Sequence, residues 1–203
     1  EYDEHGTHPA DVIAKAHEVG LMNPHVPEEL GGAGLGSLDG AILGEELCWG
    51  CSGIGTAIVA NILGALPTLI AGTEEQQREW LPPLLEEPIL CSFALTEPNA
   101  GSDAGAIQTR ATLVDGGWVI NGAKIFISNS GTEVTGPVVL AAVTGKKPDG
   151  RNEISNIIVP NGTPGFSYGK KLKKIGWRAS STRSRNSGFA ASALPAALPA
   201  RNW

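Results

Sequence analysis

The sequence is poor in aromatic residues, in cysteine and in methionine, and its four histidines are confined to one end. Aromatic side chains make up 5% of the 203 residues, and few stand near the basic run Lys170-Lys171-Leu172-Lys173-Lys174. Nucleic-acid surfaces interleave cations with stacking rings or carry a recognisable binding motif. Neither is present, so the run reads as a solvated face. Cys48, Cys51 and Cys91 are an odd number without framework spacing, which excludes a disulfide scaffold and favours a reducing compartment. All four histidines fall in residues 5–25 with no acidic or thiol cluster of ligand spacing, so no metal site is expected. No apolar run approaches the roughly 20 residues that span a bilayer. The first residues, Glu1 to His5, contain no Met and have neither signal-peptide nor transit-peptide character, and they read as a cut edge.

Charge is present but unevenly placed. The chain carries a net −6, made of −15 over residues 1–145 and +9 over residues 146–203. A basic end can face an anionic cofactor. Two motifs point to chemistry and fail on context. Cys48-Trp49-Gly50-Cys51 has the C-x-x-C form, but a redox pair follows a strand and opens a helix. Here a helical pattern precedes it, so two buried small side chains are the expected reading. Gly31, Gly32, Gly34 and Gly36 do not satisfy G-x-G-x-x-G, and no phosphate-loop lysine follows.

Length and pattern divide the chain into an α part and a β part. Residues 1–88 read as helical, with helices over Asp11–Val19, Ser37–Cys48 and Gly53–Ala65 and a connection over residues 21–36. The third helix has apolar side chains on several sides. Thr73-Glu74-Glu75-Gln76 is a capping box that opens a fourth helix ending near Pro82-Pro83. Over residues 89–183 the period changes to that of strands, at Thr109–Val114, Trp118–Ile127, Pro137–Val143 and Ile154–Pro160. The turn signals between them predict an antiparallel barrel or sandwich. Asn161-Gly162-Thr163 has the form of a glycosylation sequon and reads as a plain turn. Residues 184–203 are rich in Ala, Ser and Pro and should make neither helix nor strand.

One stretch stands out. Ser92-Phe93-Ala94-Leu95 ends an apolar run, and Thr96-Glu97-Pro98-Asn99-Ala100-Gly101-Ser102-Asp103 follows as turn chemistry. Such an exit is either an ordinary strand end or a place where hydroxyls and backbone N–H groups hold a polar, planar or phosphorylated ligand.

The order of motifs resembles the acyl-CoA dehydrogenase family. Gly20-Leu21-Met22, Val26 to Gly34, Glu45-Glu46-Leu47, Phe93 to Asp103, Asn121 to Asn129 and Lys174 to Ser180 fall in sequence from about Asp11 to Arg183. The resemblance implies an α+β fold, with an N-terminal α-helical domain (1–88), a small antiparallel β-barrel (89–183) and the family's C-terminal helical bundle absent. It implies FAD as cofactor, an acyl-CoA substrate dehydrogenated at Cα and Cβ, and electron-transfer flavoprotein as acceptor. A homotetramer or homodimer in bacterial cytoplasm or mitochondrial matrix would also follow.

By position, Phe93, Leu95 and Thr96 would lie along the flavin, and Gly101 and Ser102 would border it. Ser102 would also meet the acyl-CoA, and a side chain larger than glycine at 101 would block approach. Phe126, Ile127 and Ser128 stand where the family often has Trp-Ile-Thr. Phe126 and Ile127 could equally be barrel core, since alternate residues must face inward. Val59, with Ile62 and Leu63, could wall the acyl tail or simply pack between helices. No residue aligns with the catalytic base, which the family carries in the bundle, and Glu97 reads as a turn-stabilising or salt-bridging group. After Arg183 the family pattern breaks, as a reading-frame error or truncated gene would produce. Without closing strand and bundle, the chain alone should be weakly stable, expose the apolar helix faces of residues 38–70, and bind FAD poorly or not at all. An acyl-CoA oxidase, a flavin monooxygenase or a non-catalytic flavin-binding module would share the same strands.

Overall fold

The computed structural model describes residues 1–114 and 117–184. The expectations for residues 185–203 lie outside the described residues. The helical part contains α1 (Tyr2–His5), α2 (Ala10–Glu18), α3 (Ser37–Gly50), α4 (Ser52–Val59), α5 (Asn61–Ala71), α6 (Glu74–Trp80) and α7 (Pro83–Glu86). The β part contains β1 (Leu90–Ala94), β2 (Arg110–Val114), β3 (Gly117–Asn121), β4 (Ile127–Ser128), β5 (Thr135–Lys146), β6 (Asn152–Val159) and β7 (Thr182–Arg183).

Local chemistry explains several boundaries. Thr73 caps α6 as its sequence predicts: its Oγ1 accepts the Gln76 N–H at 3.2 Å, and the Gln76 side chain accepts the Thr73 N–H at 2.9 Å. The Asp39 carboxylate reaches back to the Gly36 N–H at 3.1 Å to start α3. The predicted third helix is two helices, α4 and α5, with a break at Ala60 and Asn61 fully buried at the join. Together, residues 52–71 are long and apolar enough to cross a membrane, contrary to the sequence expectation. Half of the stretch is buried inside the molecule, as a core helix pair would be.

The sheet is mixed rather than antiparallel, and among the described residues it does not close into a barrel. Five strands form one sheet in the order β1-β5-β2-β3, with β6 also on β5, while β4 and β7 form a separate ribbon. β1 runs parallel to β5, with Phe93 opposite Val139, and β5 is antiparallel to β6. The long crossover that parallel pairing needs is residues 95–134, which carry β2, β3 and β4 between the two strands. The predicted strand Trp118–Ile127 is broken after Asn121. Its second half leaves β2 because Ile125 N–H donates to Thr96 O at 2.8 Å instead.

The sheet has a core on each face, as the two-residue period requires. Val138, Leu140 and Ala142 of β5 pack with Ile157 and Val159 of β6, Ala94 and Ile127 on one face. Val139 and Ile158 pack with Cys91, Ala65, Leu81 and Leu84 on the other, against the helices. Polar side chains fasten this second interface. Asn61 Nδ2 donates to Asn23 Oδ1 at 2.9 Å, Asn61 Oδ1 accepts the Cys91 N–H, and Asn23 Nδ2 donates to Leu84 O at 2.7 Å. Gly64 lets α5 approach β1, since a Cβ there would fall 2.6 Å from Cys91 Sγ.

Three smaller expectations meet the structure. Cys48 and Cys51 are half-buried rather than buried, because they straddle the junction of α3 and α4 at the surface of the helix pair. The lysine run is only partly solvated. Lys174 Nζ donates to Ser180 O at 2.8 Å and to Thr182 Oγ1 at 2.9 Å, and Lys171 Nζ donates to Gly6 O. Residues 161–163 form the expected turn, with Gly162 at φ 81° and Asn161 Nδ2 donating to Thr135 O at 2.9 Å.

Candidate functional site

Where the helices run out past α5, the helix-facing side of the sheet is left uncovered and forms a cleft of about 1040 Å³. Phe93 and Leu95 of the β1 exit, with Ala141 and Ile154, form its floor, since these residues share that face. One wall is the edge of α5, where Leu63, Leu66 and Ile70 recur at helical spacing and remain partly exposed. The rim is the turn Asp103–Ala106 and the β5–β6 hairpin, which carries Lys146, Lys147 and Arg151. The hairpin is fixed by its own charges: Lys146 Nζ donates to Asn152 Oδ1 at 2.9 Å, and Arg151 pairs with Asp149 at 2.6 Å. The hydrogen bond from Arg151 holds the Asp149 carboxyl below its usual range. Asp103 and Glu153 also line the rim, so its charge is mixed, and an apolar floor with a polar mouth suits a ligand that has an apolar body and a polar end.

Immediately beyond Leu95, Thr96 is half-buried and its carbonyl accepts the Ile125 N–H, which brings the segment 124–128 alongside the β1 exit. Phe126 follows with φ 60° and 61% of its surface exposed. A large, mostly exposed aromatic in the left-handed region is the kind of strained residue that clusters at ligand sites. The Ile127 side chain is buried in the β core, so the core reading is right for it and only its backbone can face a ligand. Ser128 is half-buried and pairs with Thr182 across the ribbon. The structure thus brings Thr96, Phe126 and Ser128 to one seam, and Phe93 and Leu95 to the adjoining cleft floor.

Gly101 and Ser102 are exposed on the turn that leads to the cleft rim. A Cβ on Gly101 would meet nothing of this chain within 4 Å, so packing within the chain does not require glycine. Val59 is placed elsewhere. It ends α4 facing Gly44 of α3, and α5 rather than α4 walls the cleft.

The residues that sequence reasoning left out of the site are Leu66, Pro67 and Ile70, the hairpin cations, and Lys124. The first three continue the Leu63 stripe and were legible as helical periodicity. Lys124 was not legible as part of a buried pair. It is completely buried, with Nζ at 2.8 Å from Glu97 Oε1 and 2.8 Å from Leu95 O. The Glu97 carboxylate also accepts the N–H groups of Gln108 at 2.6 Å and Thr109 at 3.0 Å. Burial pushes the Glu97 carboxyl up, but Lys124 and these N–H donors outweigh it and hold it below the usual carboxylate range. Glu97 is therefore a salt-bridging group, as expected, and a poor proton acceptor. Cys91, fully buried on β1, has its thiol pushed up to about 12 by burial and is inert. Among the described residues no group of three or more His, Cys, Asp or Glu could hold a metal ion.

Residues 1–88 match the family model "Acyl-CoA dehydrogenase, N-terminal domain", and residues 92–185 match "Acyl-CoA dehydrogenase, middle domain". The chain is 44% identical over 181 residues to a probable acyl-CoA dehydrogenase of Bacillus subtilis, covering 89% of this chain and 47% of that protein. Butyryl-CoA dehydrogenase of Megasphaera elsdenii has a similar structure, with a TM-score of 0.83 and 35% identity, over 98% of this chain and 51% of that one. A glutaryl-CoA dehydrogenase of Mycobacterium smegmatis in complex with FADH2 matches with a TM-score of 0.81 and 29% identity, over 98% of this chain and 49% of that one. The chain spans about half the length of the curated relatives it matches.

Proposed function

This chain belongs to the acyl-CoA dehydrogenase family of oxidoreductases, and on that premise we propose that it forms the flavin face and part of the acyl-CoA channel of an FAD-dependent acyl-CoA dehydrogenase. The observation that carries the reading is the seam at the β1 exit. There a half-buried threonine and a solvent-facing aromatic at positive φ adjoin an apolar cleft with a polar mouth. Bound FAD would supply the capacity to accept a hydride, two electrons with one proton, from an acyl chain.

The residues of this chain fit that group. Phe126, exposed and held out from the sheet, offers a ring face to a planar ligand. Thr96 and Ser128 offer hydroxyls at the seam, where hydrogen bonds to a ring edge would favour its more electron-rich form. Phe93, Leu95 and the α5 stripe of Leu63, Leu66 and Ile70 form an apolar channel that admits an acyl chain and excludes water. Gly101 and Ser102 border the channel mouth, where the absence of a Cβ leaves room for a ligand to pass.

The carboxylate that takes the α-proton lies, in this reading, in the part of the whole protein outside these 203 residues. Glu97 cannot serve, because its oxygens are committed to Lys124, Gln108 and Thr109. Electrons would pass on to an electron-transfer flavoprotein. The assembled protein would be a homodimer or homotetramer in bacterial cytoplasm or mitochondrial matrix. Residues 1–88 act in it as the helical domain and residues 89–183 as the β domain.

The test is anaerobic addition of acyl-CoAs of graded length to the purified whole protein. Bleaching of a bound yellow chromophore by at least one thioester is expected, with reoxidation by electron-transfer flavoprotein faster than by oxygen. A colourless protein that takes up no added FAD would overturn the reading. Rapid reoxidation by oxygen would redirect it to an oxidase.

A further inference from the structure

We propose that the buried Glu97–Lys124 ion pair is a positioning device that sets the seam residues Thr96 and Phe126 for their planar ligand. The inference rests on the flavin reading above and adds to it two residues that touch no ligand in that reading.

The pair is the most deeply buried charge pair among the described residues. Lys124 is 0% exposed and Glu97 is 5% exposed. Desolvating two charges is costly, and a pair of well-packed apolar side chains would hold a fold at least as well. What an ion pair provides instead is direction, since its attraction here is made through short hydrogen bonds with fixed geometry. The directions are informative. Lys124 Nζ bonds Leu95 O and Glu97 Oε1, each at 2.8 Å, and the next residue's N–H, on Ile125, bonds Thr96 O at 2.8 Å. Three consecutive residues at the β1 exit are thus tied to this one dipeptide, Leu95 and Glu97 to Lys124 and Thr96 to Ile125.

Both ends of this clamp lead to the seam. On one side, the Thr96 peptide lies between the two residues that Lys124 grips. On the other, Phe126 directly follows Ile125 at φ 60° with 61% of its surface exposed. The Phe126 side chain is mostly exposed, and its unusual backbone angle is bracketed by the 124–125 clamp before it and the buried Ile127 after it. The Glu97 carboxylate extends the clamp to Gln108 and Thr109, just before β2, so that the turn 98–107 is closed at both ends. The carboxylate is 5% exposed and already accepts three hydrogen bonds inside the chain, which keeps it from a substrate and separates positioning from catalysis.

The test uses the FAD-loaded whole protein with Lys124→Met, Glu97→Gln and the double substitution, each measured well below its own unfolding transition. A clamp predicts that FAD dissociation constants rise by on the order of tenfold to a hundredfold. It also predicts that the visible circular dichroism of any bound flavin changes and that the double variant is no worse than the singles. Amide exchange of Ile125 should speed up by about tenfold or more while Leu140 and Ile157 in the central strands keep their protection. Variants that unfold earlier but retain wild-type flavin dichroism, affinity and Ile125 protection would overturn the proposal and leave the pair a stabilising one only. A wild-type protein that takes up no FAD would sink the flavin reading separately, and the exchange measurement would then decide the clamp by itself. If Lys124→Met does not fold, Glu97→Asp shortens the reach by one methylene while keeping the charge, and the same readouts apply to it.

Discussion

At the scale of single residues, Glu97, Phe126 and Gly101 each carry a measurable consequence. Replacing Glu97 by Gln leaves the Lys124 ammonium buried without its counter-charge, which should cost about 3 kcal/mol of stability, read as a lower urea midpoint. The pH dependence has a definite sign. The folded-state carboxyl is held below its unfolded value, so its contribution is complete above the unfolded pKa of about 4.3 and is lost as pH falls through the folded one. The wild-type midpoint should therefore drop on acidification below that range, and the drop should be smaller in Glu97→Gln. Phe126→Gly should behave oppositely. A non-glycine residue in the left-handed region costs about 1–2 kcal/mol, and the flexibility of glycine returns about 0.5–1 kcal/mol of that. The variant should be slightly more stable by thermal melting and should hold flavin less well. Gly101→Ala should leave the melting temperature unchanged, since a Cβ meets nothing of the chain there. Weaker acyl-CoA or FAD binding by that variant would identify a ligand as the reason for glycine.

At the scale of elements, the sequence is legible where local chemistry decides. The Thr73 capping box starts α6 where the pattern places it, and Thr73→Ala should cost about 1 kcal/mol, measured by chemical unfolding. The reading fails where a distant contact decides. Residues 53–65 read as one helix, yet the structure breaks it at Ala60, beside Asn61, whose side chain bonds Asn23 and the Cys91 N–H. The run 118–127 reads as one strand, yet Ile125 bonds Thr96 across the seam. In the site, Phe93 and Leu95 were named from the motif the chain shares with the family, and the structure puts both on the cleft floor, which Val59 does not line.

At the scale of the whole molecule, the helical and β parts share a core, with Val139 and Ile158 packed against Leu81 and Leu84. The outer helix face has no such cover. None of the residues of α3 is buried, and Leu38, Ile42 and Trp49 are 73%, 54% and 89% exposed. An uncovered apolar face of this kind promotes association. The 203-residue chain expressed alone should self-associate in light scattering, and the triple change of Leu38, Ile42 and Trp49 to Ser should restore a monomer without lowering the unfolding midpoint. A chain that is already monomeric and cooperatively folded would contradict this.

The sequence alone determined the change from helical to strand period near residue 88, the Thr73 cap, the turns at 148–150 and 161–163, and the motif order that marks the family. These depend on residues close together in the chain, whose propensities and side-chain reach act locally. The tertiary structure decided the parallel pairing of β1 with β5, the cleft left open beyond α5, and the closing of Lys124 onto Glu97. Each of these joins segments dozens of residues apart, and which partner a buried charge or strand edge finds is settled by the packing that surrounds it.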